Sequence, residues 1–420
     1  MGVKMEYSRG KIINNIILLV IIIMPFILID SKSPLLDGKY YFMLITGIIL
    51  LILSLKIEKI NINIIDITAL LFILSIFISS VFSPDKFTAF WGSFGRGEGF
   101  FMILTYVILF FLSSKYLNIN EKNLDIILIS SCVMAIHGIL QFFGFDIVQI
   151  IYPLYDNSAS DAIGTIGNRN FFSSYICIFL FLGMGLYIFK GNKKYLVYSS
   201  ILFAALLCSL TRSGWLAFII YSILGLLFIL KRKDALKRSA IIILIFTVIF
   251  AVLNITTDNS IINRSNKNQV ISSQGLLVGS VGGRAEILKL SFKAFCDKPL
   301  LGYGPDTLKM RLSEDYTEDF IKYKLDHGVY VDKSHNEFLE YAVSCGVFTL
   351  IFYLVLLGLI IYGLFKNKEK DINKILLITI IGYLVQSFFN ISMIAIAPIF
   401  WILLGVSYKN IKTNKKEMLQ

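Results

Sequence analysis

Apolar residues fall along this chain in long uninterrupted blocks, with polar and charged residues confined to the segments between them. The blocks are Ile12–Ile29, Tyr40–Leu55, Ile64–Phe82, Gly99–Ser113, Leu124–Phe143, Phe171–Phe189, Tyr195–Leu210, Gly214–Leu230, Ala240–Ile255, Phe338–Phe365, Ile375–Phe389 and Ile391–Tyr408. A helix crossing the hydrocarbon core of a bilayer needs about 20 mostly apolar residues, with a range of roughly 17–25. Only helices and closed barrels satisfy their backbone groups in lipid. Uniform apolar blocks exclude the alternation of a barrel. The pattern therefore predicts an all-α polytopic integral membrane protein with about twelve transmembrane helices, a single membrane domain over residues 1–420. Only Asn390 divides the last two blocks, which leaves open a tight hairpin or one broken segment.

Composition agrees. Of 420 residues, 56 % are hydrophobic and 16 % charged, and the mean hydropathy is +0.74. Soluble domains run near 25 % charged, so this chain has too few polar residues to cover a soluble core. The net charge of +12 suggests nucleic acid until the basic residues are placed. With the N-terminus inside, the short inner segments hold 23 Lys and Arg and the short outer ones six. The positive-inside rule then puts both termini in the cytoplasm, and the basic excess is topological, with no nucleic-acid partner expected. The first block is too long for a signal-peptide core and has no small-residue cleavage site after it, so it reads as an uncleaved span. Four of the five cysteines lie within blocks and Cys296 stands alone, which gives no disulfide framework and no metal site.

Polar residues gather in one place. Thr256–Ser334 forms a large loop between the ninth and tenth helices, on the outer face of this topology, and loops of such length usually have a role. Its first half is polar and expected to be poorly ordered. In its second half, Ile287, Leu290, Phe292 and Phe295 recur at near-helical spacing, predicting an interfacial amphipathic helix near 284–296. A Gly/Pro turn follows at Leu301–Leu308, and the loop runs into the tenth helix through SHNEF.

Several residues at this face can carry chemistry. His335 is a natural general base because histidine exchanges protons near neutrality; the plain alternative is a polar helix start capped by Ser334 or Asn336. His327, in what reads as a mobile loop, looks like plain surface, and His137 like a satisfied polar group within a span. Arg212 sits at a hairpin tip and could simply snorkel to headgroups. Arg284 would lie in the first turn of a helix, where a cation opposes the dipole and needs another reason, such as an anionic ligand. Two guanidinium groups could hold a pyrophosphate in bidentate fashion. Weaker clusters are GSFGRGEGF, with Arg96, and GTIGNRNFFSSY, with Asn168, Arg169 and Asn170; Asn168 and Asn170 could equally serve as caps.

Four segments together resemble the O-antigen ligase and O-antigen polymerase superfamily of bacterial membrane glycosyltransferases: GTIGNRNFFSSY, LTRSGW, GGRAEILKLSFKAFCDKPLLGYGPDTL and SHNEFLEYAVSCGVF. The resemblance implies a GT-C-like membrane fold in the bacterial cytoplasmic membrane, with the site on the extracytoplasmic face. It implies a glycan donor linked to undecaprenyl pyrophosphate, and a glycan, lipid or protein acceptor. It implies that Arg212 and Arg284 bind the pyrophosphate and that His335 activates the acceptor hydroxyl, with inversion, without a cofactor and without a metal. Arg96, Asn168, Asn170 and Asn336 stand as further substrate-binding candidates. A ligase and a polymerase would share these residues. A transporter or flippase of lipid-linked oligosaccharides is the reading from another class; it would favour charges at mid-bilayer in broken helices, whereas Asp66, Asp125 and His137 are the polar groups the spans offer.

Overall fold

A computed structural model describes residues 2–31, 33–55, 62–152, 161–266 and 282–417. Each of the twelve apolar blocks is helical: α1 (Gly2–Ile23), α2 (Asp37–Ser54), α3 (Ile64–Val81), then, after the short α4 (Lys86–Trp91), α5 (Phe100–Tyr116) and α6 (Glu121–Phe142). The short α7 (Ile147–Ile151) precedes α8 (Arg169–Lys190), α9 (Lys193–Cys208), α10 (Arg212–Ile229) and α11 (Lys233–Thr256). Four small helices fill the large loop: α12 (Ser260–Asn266), α13 (Gly282–Asp297), α14 (Leu308–Asp315) and α15 (Thr317–His327). The chain closes with α16 (Glu337–Lys366), α17 (Asp371–Ser387) and α18 (Ala397–Glu417). Among the described residues, eight helices are long and apolar enough to cross a membrane. The protein is thus a multi-pass helical membrane protein, and no strand occurs among those residues.

Three expectations change. The last two blocks, whose division at Asn390 the sequence leaves open, are two separate helices, α17 and α18, with α18 starting at Ala397 rather than Ile391. Part of the loop's first half is ordered as α12, while residues 267–281 lie outside the described residues. The amphipathic helix exists as α13, but its buried stripe is Ile287, Leu290 and Ala294, packed within the loop's own core beside Tyr323 and Val343. Phe292 points outward, 56 % exposed.

Consecutive apolar helices alternate in direction and give the bundle two chemically different ends. At one end lysines and arginines pair with acids near helix starts: Lys194 with Asp125 (2.7 Å), Arg232 with Asp371 (2.6 Å) and Lys412 with Asp66 (3.6 Å). Asp66 and Asp125 are therefore helix-end groups, not mid-bilayer charges. At the other end converge the N-termini of α5, α8, α10 and α16. Helix α8 lies at the centre of the bundle, with 94 % of the residues in its apolar stretch buried, so the turn that enters it stands in the middle of that second end.

Candidate functional site

The turn before α8, GTIGNRN, is pinned by buried polar groups. Gln141 Oε1 accepts from the amides of Ile163 (3.1 Å) and Gly164 (2.6 Å), and its Nε2 donates to Asp146 (2.9 Å). The ammonium of Lys39, fully buried, donates to three carbonyls, of Ile27 (3.1 Å), Leu35 (2.6 Å) and Thr165 (2.8 Å). A buried cation with three acceptors is satisfied without a carboxylate, and here it ties three segments together. His137 lies at this end beside Asp146 (3.4 Å).

A second network fixes the Arg96 turn. The Asp306 carboxylate, buried at φ +62°, accepts from Ser93 N (2.6 Å), Ser93 Oγ (2.9 Å) and Glu98 N (3.1 Å), and its other oxygen faces Lys333 Nζ (2.7 Å). Lys333 also pairs with Glu340 (3.1 Å), and these acids raise the lysine's pKa against the opposing effect of its burial. Asp306 lies in the LGYGPDTL turn, which docks where α16 breaks. Gly346 adopts φ +84°, and the freed Ser344 carbonyl accepts from Tyr303 N (3.0 Å) and Gly304 N (2.7 Å). Three motifs more than 200 residues apart in part are laced together by buried charge.

His335 sits within this frame. It precedes α16 rather than belonging to it, at φ +52°, a left-handed conformation that costs a non-glycine residue energy. Its neighbours hold it there. Ser334 donates to Glu340 from N (2.8 Å) and Oγ (2.9 Å). Asn336 caps α16 by accepting from Leu339 N (2.9 Å) and donates to Phe388 O (2.9 Å). Asn336 thus commits both side-chain groups to the fold.

The charged groups around the histidine come from three parts of the chain. Arg96 donates to one oxygen of Asp332, Oδ2, from both Nη2 (2.6 Å) and Nε (2.8 Å). Burial tends to raise the Asp332 pKa, but Arg96, His335 and Lys333 hold it below its usual range. Burial lowers the pKa of His335; Asp332 works against that, while the charges of Arg284 and Arg96 lower it further. Arg284 is itself held below its ordinary value by burial and by the charge of Arg169. His335, Arg96, Arg284 and Asp332 therefore form one electrostatic cluster, and Arg169 extends it toward α10, because Thr211 Oγ1 donates to Arg169 O (3.3 Å).

Arg169 and Arg212 are the first residues of α8 and α10, and Arg284 is in the first turn of α13. Each cation opposes the dipole of its own helix. Such placement suits an anion that the helix N-termini and guanidinium groups bind together. A cavity of about 560 Å³ opens at the cap of α8, lined by Arg96, Asn168, Lys309, Asp332, Phe171 and Met393; Arg169, Arg212 and Arg284 are not among its lining residues. Asn168 also caps α8 through Asn170 N (2.8 Å), while Asn170 is half-buried, its carbonyl accepting from Ser174 Oγ (3.1 Å).

Sequence reasoning passed over Lys309, Asp306 and Lys333, and it placed Arg169 only in a weaker cluster, although it is a third arginine at the start of an apolar block. His327 is not mobile surface. It ends α15, pairs with Glu286 (3.0 Å), stacks on Tyr323 (4.3 Å) and crowds Gly283, the residue before Arg284.

Residues 197–354 match the family described as O-antigen ligase. The span includes Arg212, Arg284 and His335. The chain is 26 % identical over 286 residues to a ComP-specific O-oligosaccharyltransferase of Acinetobacter baylyi, covering 65 % of this chain and 50 % of that protein. The chain thus spans about half the length of the curated relative that it matches. The superfamily resemblance of the four motifs and the family match agree.

Proposed function

We propose that this chain, an O-antigen ligase-like membrane glycosyltransferase, moves a glycan from undecaprenyl pyrophosphate to an acceptor hydroxyl on the outer face of the cytoplasmic membrane. The observation that carries this reading is the cluster of His335 with Arg284, Arg96 and Asp332, extended by Arg169. The twelve helices act as spans, both termini are cytoplasmic, and the Thr256–Ser334 segment is outside; the segregation of lysine-rich and arginine-histidine ends supports that orientation.

In the mechanism, the donor pyrophosphate lies among Arg212, Arg169 and Arg284. These cations offset charge that builds on the leaving phosphate, in a site where they are already oriented. His335, its pKa lowered, is neutral at physiological pH and free to take the proton of the attacking hydroxyl. One displacement inverts the anomeric carbon, and the preorganised guanidinium groups do the work that a metal would otherwise do. Arg96 and Asn168, on the cavity wall, contact the substrate. The O-oligosaccharyltransferase likeness favours transfer to an acceptor other than another lipid-linked glycan, a ligase rather than a polymerase.

The test is single-turnover transfer from a purified lipid-linked glycan. His335→Ala should lower the rate by at least about 100-fold while donor affinity survives. Arg212→Lys and Arg284→Lys should weaken donor binding, because a lysine keeps the charge but loses the bidentate geometry. Near-normal turnover by His335→Ala would refute the assignment of the base.

A further inference from the structure

A second cavity, of about 430 Å³, adjoins the cationic one at the Ser93–Arg96 turn. Both cavities are lined by Leu36, Ser93, Phe94, Gly95 and Arg96, so this turn is their common wall. The second cavity differs in chemistry: Tyr40, Tyr41, Trp91, Phe94 and Phe87 line it, with Asp37 among them. Phe94 is 77 % exposed and Tyr41 57 %.

The cavity is built, not incidental. Tyr40 donates its hydroxyl to Trp91 O (2.8 Å) and meets Tyr41 edge-on at 5.4 Å. Trp91 rests on Phe101 at 4.6 Å. The turn between the cavities is the one locked by Asp306, and Gly97 leaves Tyr40 no room for even a methyl group in its place. Exposed rings that served only as a lipid-interface belt would point outward around the perimeter. These rings converge on a hollow whose far wall carries Arg96.

We propose that this aromatic cavity binds the sugar rings of the donor glycan. The inference rests on the glycosyltransferase reading above. A pyranose presents a face of C–H bonds, which carry partial positive charge and stack on the negative face of an aromatic ring. Its hydroxyls need polar partners, and the cavity lining supplies Asp37 and Arg96. The donor is the substrate that carries a glycan whatever the acceptor is. Its pyrophosphate lies on the cationic side, and the sugars reach across the Arg96 turn.

Two probes separate this role from the others: undecaprenyl pyrophosphate without sugar, and the lipid-linked oligosaccharide extracted from membranes of the source bacterium. Each is titrated against the full chain in lipid nanodiscs. Phe94→Leu and Tyr41→Leu keep apolar bulk, and because both rings are exposed neither change threatens the fold. Each should weaken binding of the glycan-bearing probe by roughly threefold to tenfold and leave binding of the sugar-free probe unchanged. Equal losses on both probes would make the rings a lipid contact and overturn the proposal, as would no loss on either. A wild-type chain that binds neither probe would overturn the donor reading itself, and this inference with it.

Discussion

Asp306→Asn isolates one charge at the centre of the frame. Asparagine matches the shape of aspartate and tolerates the left-handed backbone at φ +62°, so neither volume nor strain changes. Asp306 Oδ2 accepts from two amides and a hydroxyl, and Oδ1 faces Lys333 at 2.7 Å. Turning the amide so that its oxygen keeps the three donors puts its NH2 group against Lys333; the reverse leaves three donors without an acceptor. The first arrangement costs less. Lys333 then keeps only Glu340, at 3.1 Å, while remaining 4 % exposed. Breaking a buried pair costs about 3–5 kcal/mol, and the surviving Glu340 partner lowers that to about 3 kcal/mol. Lys333→Met leaves the buried Asp306 and the half-buried Glu340 carboxylates without their shared cation and should cost about 3–5 kcal/mol. The double variant should cost less than the sum, with a coupling of at least about 1 kcal/mol. The measurement is reversible unfolding in mixed micelles with a rising fraction of dodecyl sulfate, followed by circular dichroism. A loss under about 1 kcal/mol for Asp306→Asn, or strictly additive losses, would refute the idea that this pair ties the Arg96 turn to the His335 segment.

Glu98, buried and hydrogen-bonded by Tyr106 (2.9 Å), has its pKa pushed up to about 8 by burial, against the pull of Lys333. A carboxyl raised above its unfolded value costs stability as pH climbs from about 4.5 to about 8, and the cost is then constant. Glu98→Gln should therefore match the wild type near pH 5 and exceed it above pH 8, by a few kcal/mol at most at ~1.4 kcal/mol per pKa unit; parallel stability curves would refute this. Removing Arg96 with Gln takes away a cation that depresses the His335 pKa and frees Asp332 to raise it, so the acid limb of kcat/KM against pH should move to higher pH. Gly346→Ala would drive a methyl into Leu300 O at a positive φ, so unfolding measurements should show a loss of at least about 3 kcal/mol, among the larger single-residue effects. His327→Ala should lower donor affinity severalfold with the single-turnover rate at saturation preserved, because it releases the start of α13 beside Arg284; Glu286→Gln should do the same in binding assays.

The hydrophobic pattern by itself determined the helices. Twelve apolar blocks became twelve helices because a backbone in lipid has no other way to satisfy itself within one segment, and capping residues such as Asn63, Asn120, Asn168 and Asn336 stand at helix starts. His335 and Arg284 were legible as well, since a histidine at a helix mouth and an arginine against a helix dipole conflict with local preference. What the sequence could not contain was distance. Arg96 and Asp332 are 236 positions apart, and Ser93 and Asp306 213; no local rule ties such pairs. Lys309 reads as an ordinary surface cation, and Arg169 as part of a weaker cluster only, until the loop folds back over the bundle. The left-handed backbone at His335 depends on Glu340 and Phe388 being in place. Periodicity reports which face of a helix avoids water, a property of neighbours in the chain. The site depends on which helix ends meet, and that is settled only when the buried Lys333 must be paired with Asp306 and Glu340, which brings the three motifs together.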